Sequence, residues 1–201
     1  MLSYRVEWYC TFRQVLSAIP FLSLVLATAA ATAQRVAIDK AHSTVTVHVY
    51  KSGLLSGLGH NHVIQAPVAS GSVDAKAKVV ELSFNVADMK VLDPDASDSE
   101  RQEIEATMKG PKVLDPAQFP VVSFVADGVS NSSPGHSQVT GTLKLHGASR
   151  QVTVPVVLQD GKYSGSIALK QTDYGITPVK IAGGAVRVKD EIVIEFQVAP
   201  Q

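Results

Sequence analysis

Cysteine is almost missing from this chain of 201 residues, and the single one, Cys10, lies near the amino terminus. Residues 34–201 contain no cysteine, so this part of the chain has no thiol nucleophile, no disulfide and no thiolate metal ligand. Cys10 also precedes the apolar run at residues 21–33, where it cannot serve as a lipoprotein cysteine. An exported domain without disulfides must depend on its core and its hydrogen-bond ladder for stability.

An excess of positive charge is missing as well. The chain has 18 basic and 18 acidic residues, and residues 34–201 alone carry 16 and 17, which gives a net charge of −1. Proteins that bind nucleic acid or an anionic membrane surface through charge need a basic balance or a basic patch. We therefore expect neither kind of partner.

A membrane-spanning run is the third absence. The apolar stretch "FLSLVLATAAATA" (21–33) is shorter than the ~20 residues that cross a bilayer. It follows Arg5 and Arg13 and ends in the small residues Ala31-Thr32-Ala33, which is the pattern of a secretory signal peptide. We predict a signal peptide at residues 1–33 and one mature domain at residues 34–201. The protein would then be periplasmic or secreted, with no stable membrane insertion after cleavage.

Most of the remaining chain consists of short segments in which apolar and polar residues alternate, the pattern of a half-buried β-strand. In "STVTVHVY", for example, Val45, Val47 and Val49 share one face. Similar segments are "VVELSFNVAD", "QVTGTLKLHG", "RQVTVPVVLQDG", "KYSGSIALKQ" and "DEIVIEFQVA", and the less regular "HVIQAPVASGSV" and "PVVSFVADGV" bring the total to about eight strands. Turn residues in "NSSPGH", "HGAS" and "QDGK" favour hairpins and so an antiparallel meander.

One segment, "ASDSERQEIEATMKG", has helical features instead. Ser97 and Glu100 have the spacing of a capping box, Arg101 and Glu105 have that of an ion pair, and Gly110-Pro111 stops the run. We predict a short α-helix inserted between strands, which covers one end of the sheet.

Eight antiparallel strands with one apolar face each can close into a barrel or stack as a sandwich. An eight-stranded barrel either fills with side chains or holds one small ligand. The predicted inner face is mostly Val, Leu and Ile, which suits an elongated apolar guest and a filled core equally. The pattern alone leaves the two alternatives open.

Several motifs in order resemble those of the YceI-like family. "AIDKAHSTVTVHV" resembles its opening Asp-x-x-His-Ser strand, and "SERQEIEATMKGPKVLDPAQFPVVSFVADGV" resembles its helix followed by an Asp-x-x-x-x-Pro-x-x-x-Phe strand. "VTGTLKLHGASRQVTVPV" resembles its Gly-x-Leu-x-(Ile or Leu)-x-Gly hairpin, and "QTDYGI" and "DEIVIEFQV" resemble its last two motifs. The resemblance covers residues 36–199.

The resemblance implies an all-β fold, an eight-stranded antiparallel lipocalin-like barrel with one short inserted α-helix. It implies an exported, non-catalytic carrier whose interior holds a polyprenyl phosphate or the tail of an isoprenoid quinone. It implies no cofactor besides that lipid and leaves homodimer formation open. The residues that it places in the lipid site, given the strand register that alternation sets, are Val47, Leu82, Phe84, Phe124, Leu143, Ile167, Ile194 and Phe196.

A polar head group would lie at the mouth of the barrel, near Lys51, Lys112 or Arg150. This chain differs from the family pattern after the first strand, where "KSGLLSGLGHNHVI" replaces a more polar hairpin. His60 and His62 lie in that stretch, one residue apart, so on an extended strand both imidazoles point the same way.

Three roles remain open for His60 and His62. They could contact a head group, or they could bind Zn²⁺ or Cu²⁺ with His42, His48 or His146, which would make the protein a periplasmic metal- or redox-associated binding protein. They could also belong to a glycine-assisted turn, with His62 facing solvent. A filled barrel that binds a protein partner is a further alternative for the whole molecule.

Two other groupings carry less chemistry. His42 and Ser43 are adjacent on a strand and point to opposite faces, so Ser43 cannot use His42 as a base. We expect Asp39 and His42 to have a structural role instead, in which they tie the first strand to a neighbouring loop. The acidic stretch "DPDASD" (93–98) lacks the glycine and glutamate of a calcium loop, and a helix N-terminus accounts for its charge.

Overall fold

The computed structural model describes residues 35–53 and 61–201. The predicted signal peptide and His60 lie outside these residues. The described part contains one α-helix, α1 (Asp98–Met108), and eleven strand segments. The segments are β1 (Val36–Ser52), β2 (His62–Gln65), β3 (Ser70–Asp74), β4 (Val79–Asn85), β5 (Lys90–Val91), β6 (Val121–Ser133), β7 (His136–Leu145), β8 (Ala148–Gln159), β9 (Lys162–Lys170), β10 (Lys180–Ile181) and β11 (Val186–Pro200).

The strands form a closed antiparallel barrel with eight strand positions. Their order is β1-β3-β4-β6-β7-β8-β9-β11, and β11 pairs with β1 to close the ring. Two of these positions are each formed by two short segments. Beside β1 lie both β2 and β3, and in the next position β5 pairs with β2 and β4 pairs with β3. The predicted fold, an eight-stranded antiparallel barrel with one inserted helix, is confirmed.

Tight turns join the strands that the sequence predicts to be hairpins. The β7–β8 turn is His146-Gly147 and the β8–β9 turn is Asp160-Gly161, and all four residues have positive φ, between 49° and 76°. Two consecutive positive φ values define the type I′ turn, whose twist matches that of the flanking strands. These turns hold neighbouring strands in register and so fix which side chains face the interior.

Helix α1 begins with the predicted capping box, in which the Ser97 hydroxyl accepts from the Glu100 amide and the Glu100 carboxylate accepts from the Ser97 amide. The expected pair between Arg101 and Glu105 is wrong. Arg101 donates instead to the Asp93 carbonyl (3.0 Å) and pairs with Asp98. Glu105 accepts from Lys109 at 2.8 Å, and this hydrogen bond lowers the pKa of the Glu105 carboxyl.

The barrel has two different ends. We call the "helix end" the one that carries α1, the last residues of β1 and the β7–β8 turn, and the "hairpin end" the one that carries the β3–β4, β6–β7 and β8–β9 turns. Val86, Met108 and Tyr174 are buried members of the hydrophobic core at the helix end. Among the residues described, none of the helical segments is long and apolar enough to cross a membrane.

Candidate functional site: the barrel cavity

The interior of the barrel is a cavity of about 920 Å³. Alternate residues of the barrel strands line it, as Val45, Val47 and Val49 do for β1. All of the residues predicted to face the interior of the lipid site line this cavity, namely Val47, Leu82, Phe84, Phe124, Leu143, Ile167, Ile194 and Phe196. Their contact with a lipid remains a prediction.

The cavity is elongated along the barrel. Its lining includes Glu103 and Ile104 of α1 at the helix end and Pro134 and Gly135 of the β6–β7 turn at the hairpin end. On β11 the lining extends from Val186 to Val198, which is roughly 40 Å along a strand that rises about 3.3 Å per residue. An eight-stranded barrel encloses little width, so the space suits a long, thin guest.

Two glycines help to keep this interior hollow. A Cβ at Gly165 would lie 2.7 Å from Cζ of Phe196, and a Cβ at Gly141 would lie 2.7 Å from Cζ of Phe124. Each ring therefore lies close against the backbone of its neighbouring strand, because no side chain holds it off. Both rings line the cavity, and the absence of a Cβ at each glycine lets them pack against the barrel wall.

Polar groups at the hairpin end mostly bond to the protein itself. Asp74 is buried, and its Oδ1 accepts from the Ala77 amide at 2.8 Å to close the β3–β4 turn. Lys78 donates to a carbonyl of β6. Ser137 donates to Oδ1 of Asn131 across the β6–β7 hairpin at 3.0 Å. These contacts stabilise turns at the cavity rim and leave the apolar wall as its main surface.

The helix end contains a partly buried histidine–aspartate pair. Nδ1 of His62 lies 2.7 Å from Oδ2 of Asp93, and the two side chains are 20% and 4% exposed. Oδ1 of Asp93 accepts from the Val63 amide at 2.7 Å, and the Arg101 guanidinium bonds the Asp93 carbonyl. Strand β2, the segment after β5 and helix α1 are thereby joined around one imidazole.

His62 differs from the solvent-facing turn residue that one of the sequence interpretations offered, because it lines the cavity. The sequence does not single out Asp93, since "DPDASD" indicates only the start of a helix. The two are 31 residues apart, and the β2–β5 pairing of Ile64 with Val91 brings them together. The sequence signal that could have found Asp93 is strand β5 (Lys90–Val91), which ends two residues before it and is too short to show periodicity.

Equal numbers of basic and acidic side chains line the cavity at the helix end. Lys51 and Arg187 line the cavity there, and so do Glu100 and Glu103 of α1. Arg187 donates its Nε–H to the Gly184 carbonyl at 2.8 Å. Of the cations that the sequence offered for a head group, Lys51 lines the cavity, whereas Lys112 and Arg150 do not.

A model of the YceI-like domain matches residues 37–199, nearly all of the described chain. The chain belongs to the YceI-like family. Members of that family are barrels known as binding proteins, and the family is not a known enzyme family. The general function of the chain is therefore binding.

Known proteins similar to this YceI-like chain have diverged far in sequence. A UPF0312 protein of Shewanella denitrificans is 23% identical over 194 residues, which cover 91% of this chain and 97% of that protein. The crystal structure of Burkholderia cenocepacia BcnA is similar with a TM-score of 0.57 and 19% identity, over 80% of this chain and 98% of that one. A Campylobacter jejuni YCEI protein matches at 15% identity and a TM-score of 0.48, over 69% and 81%. The likeness to BcnA shows the fold.

The described residues of this YceI-like protein hold no group of three or more His, Cys, Asp or Glu side chains that could bind a metal. The other histidines offered as ligands have separate partners. His42 bonds Asp39 (2.6 Å) and His146 contacts the Tyr174 carbonyl, whereas Nε2 of His48 lies 3.4 Å from the Glu195 carboxylate without a hydrogen bond. The metal-binding alternative therefore depends on His60 and stays a prediction.

Asp39 has a structural role, as we expect, but its contacts lie within β1 and do not tie the strand to a neighbouring loop. Its Oδ1 accepts from the Ala41 and His42 amides within the irregular part of β1. The hydrogen bond from the His42 side chain lowers the pKa of the Asp39 carboxyl. The neighbouring Ser43 hydroxyl accepts from the Ala199 amide at 3.0 Å and so ties β1 to β11.

Proposed function

We propose that this YceI-like protein is an exported, non-catalytic carrier that holds a long isoprenoid chain inside its barrel. The observation that supports this proposal is the elongated cavity of about 920 Å³, with a wall of Val, Leu, Ile and Phe side chains between the helix end and the hairpin end. Its volume is in the upper part of the range for small-molecule sites, ~300–1,000 Å³.

The chemistry of a prenyl chain matches this wall. Such a chain is a branched hydrocarbon with no polar groups, so it needs no polar partner along its length. Each buried CH₂ contributes about 0.8 kcal/mol, and a chain of several isoprene units therefore gains enough free energy for tight binding from burial alone. Polar contacts are then needed only at the head group, at one end of the cavity.

Export is part of the proposal because the predicted signal peptide would deliver the barrel to the periplasm or beyond. An isoprenoid lipid that leaves one membrane must cross water to reach another. A closed barrel that surrounds the chain removes its apolar surface from that water. The partner is thus an isoprenoid lipid or quinone, and neither nucleic acid nor stable insertion into a membrane belongs to the proposal.

Thermal unfolding in the presence of prenyl chains tests the proposal. A ligand that binds only the folded state stabilises it by about 2.7 kcal/mol at a concentration one hundred times Kd. We expect the unfolding temperature of the mature domain to rise with added prenyl alcohol and to rise more for longer chains. If no chain length raises it, and no lipid remains with the purified protein, the carrier function is wrong.

A further inference from the structure

The imidazole of His62 is held so that one nitrogen remains available to the cavity. Nδ1 is engaged with Asp93 at 2.7 Å. Nε2 has no hydrogen-bond partner among the residues of 35–53 and 61–201, and it is not among the polar atoms that are buried without one. Since His62 lines the cavity, a bound molecule at the helix end can reach Nε2.

Asp93 also fixes which kind of hydrogen bond that nitrogen can make. A neutral imidazole carries its hydrogen on one nitrogen and accepts on the other. The Asp93 carboxylate only accepts, so it holds the hydrogen on Nδ1 and leaves Nε2 as an acceptor. The partner of Nε2 must therefore be a donor, and among the groups that end an isoprenoid lipid a hydroxyl is a donor.

The charged side chains that line the helix end of the cavity favour an uncharged donor. Lys51 and Arg187 are matched at this end of the cavity by Glu100 and Glu103. A phosphate or diphosphate is held best by guanidinium forks and backbone amides that face it without competing carboxylates. Here one of the five N–H donors of Arg187 already bonds Gly184, and two carboxylates line the same end of the cavity and would repel a phosphate.

We propose that Nε2 of His62 accepts a hydrogen bond from a hydroxyl group at the end of the bound isoprenoid chain, and that Asp93 is the positioning residue which keeps Nε2 an acceptor. This inference rests on the proposed carrier function and narrows it to a ligand with a neutral hydroxyl head. A prenylated phenol or quinol and a prenyl alcohol share that chemistry. A prenyl phosphate does not belong to the class.

Binding of four probes of equal chain length tests the inference: a prenyl alcohol, its methyl ether, its monophosphate and a prenylated phenol. The ether fills the same cavity but cannot donate, so its affinity reports the carrier function alone. In mildly alkaline buffer, where an imidazole is ordinarily neutral, the mature protein should bind the alcohol or the phenol about tenfold more tightly than the ether. The stronger of these two hydroxyl ligands identifies the source of the head group.

Two variants separate direct contact from positioning. His62→Leu should bring the affinities for alcohol and ether together because the alcohol loses its acceptor. In Asp93→Asn the amide oxygen stays on the Val63 amide, since only an acceptor fits there, and the amide NH₂ faces Nδ1 of His62. The hydrogen of the imidazole then lies on Nε2, which becomes a donor. An ether oxygen can accept from it, so the ether gains affinity and the ratio of alcohol affinity to ether affinity falls.

His42→Leu is the matched control. His42 makes the same contact with an aspartate, Nδ1 to Oδ2 of Asp39 at 2.6 Å, but its side chain is 72% exposed and does not line the cavity. This substitution should leave the alcohol-to-ether ratio unchanged. Each ratio is internal to one variant, so a loss of stability that lowers both affinities does not obscure it.

Several outcomes would overturn the inference. These are equal affinity of the unmodified protein for alcohol and ether, a preference for the monophosphate over both hydroxyl ligands, a ratio that His62→Leu leaves intact, or a stoichiometric metal that this substitution removes. In each of these cases, binding of the ether would still support the carrier function. Failure of every probe, the ether included, would instead contradict the carrier function and this inference with it.

Discussion

The ring of Phe196 lies against the backbone of Gly165 on the adjacent strand, in a space that the Cβ of any other residue at position 165 would occupy. A Cβ at position 165 would be 2.7 Å from Cζ of the ring and 2.2 Å from the Pro155 carbonyl oxygen. Gly165 pairs with Phe196 on one side and with Val156 on the other, so it lies within the barrel wall. This contact keeps an aromatic side chain against the wall of the cavity.

Substitution of Gly165 by alanine should destabilise the barrel. The new methyl group would overlap the Pro155 carbonyl, which belongs to the backbone and cannot rotate away. Overpacking of this kind costs about 1–3 kcal/mol of the free energy of unfolding. The measurement is denaturant unfolding of the mature domain.

Gly128→Ala is the control for that prediction. Gly128 also lies in a barrel strand, but the nearest atom to its added Cβ would be 3.9 Å away. We expect a change within about 0.5 kcal/mol. Equal losses of stability in the two variants would contradict the role assigned to Gly165.

Filling the cavity should displace the ligand. Ile167→Trp adds a large ring to a side chain that lines the cavity, whereas Ala168→Trp places the same ring on the exposed face of β9. We expect the first variant to bind a long prenyl chain at least about tenfold more weakly, because the ring occupies volume that the chain needs. Titration with a fluorescent prenyl probe measures both. Similar affinities in the two variants would show that the chain does not bind inside the barrel.

Removal of the Asp93 carboxylate should cost stability as well as ligand preference. Asp93→Ala leaves the Val63 amide and Nδ1 of His62 without their partner in a region where the Asp93 side chain is 4% exposed. A buried group left unsatisfied costs about 1–3 kcal/mol. Denaturant midpoints of Asp93→Ala and of Asp95→Ala, which truncates an exposed neighbour, provide the comparison. A loss no larger than that of the Asp95 variant would contradict the structural role of the His62–Asp93 pair.

The ion pair between Glu105 and Lys109 should make stability fall in acid. The pKa of Glu105 lies below its ordinary value of 4.5 in the folded protein because the Lys109 hydrogen bond favours the carboxylate. The contribution is therefore fully present above pH 4.5 and is lost as pH falls through the folded-state pKa. Glu105→Gln should cost about 1 kcal/mol at neutral pH and progressively less in acid.

Glu191→Gln, at an exposed position of β11, provides the reference for this pH dependence. Unfolding of the three proteins in a series of buffers from neutral to acid gives the comparison. A difference between the unmodified protein and Glu105→Gln that stays constant or grows below pH 4.5 would show that the carboxylate of Glu105 does not contribute in this way.

The regular strands could be predicted from the sequence because their alternation matches a wall that is apolar on one face. Val47 and Ile194 pair across β1 and β11 and both line the cavity, as their alternation indicates. The interruptions could not be predicted in the same way. Strand β5 has only two residues, Lys90 and Val91, so no periodicity marks it.

Hollowness and the His62–Asp93 contact also required three-dimensional structure. The pattern of Val, Leu and Ile is the same for a filled and an empty barrel, and the packing of Phe124 and Phe196 over glycines on other strands is not visible in that pattern. Asp93 approaches His62 only because β5 pairs with β2, a contact between segments that local spacing does not reveal. Spacing along the helix also did not distinguish the partners of Arg101, which pairs with Asp98, while Lys109 pairs with Glu105.

Native mass spectrometry of the mature domain, purified without detergent from cells that make isoprenoid lipids, tests the carrier function most directly. We predict a complex whose added mass equals one isoprenoid lipid and whose lipid is released by organic solvent. The Ile167→Trp variant should lack this lipid, and the Ala168→Trp variant should retain it. A protein that carries no lipid in repeated preparations, and that takes up none from added prenyl chains, would contradict the carrier function.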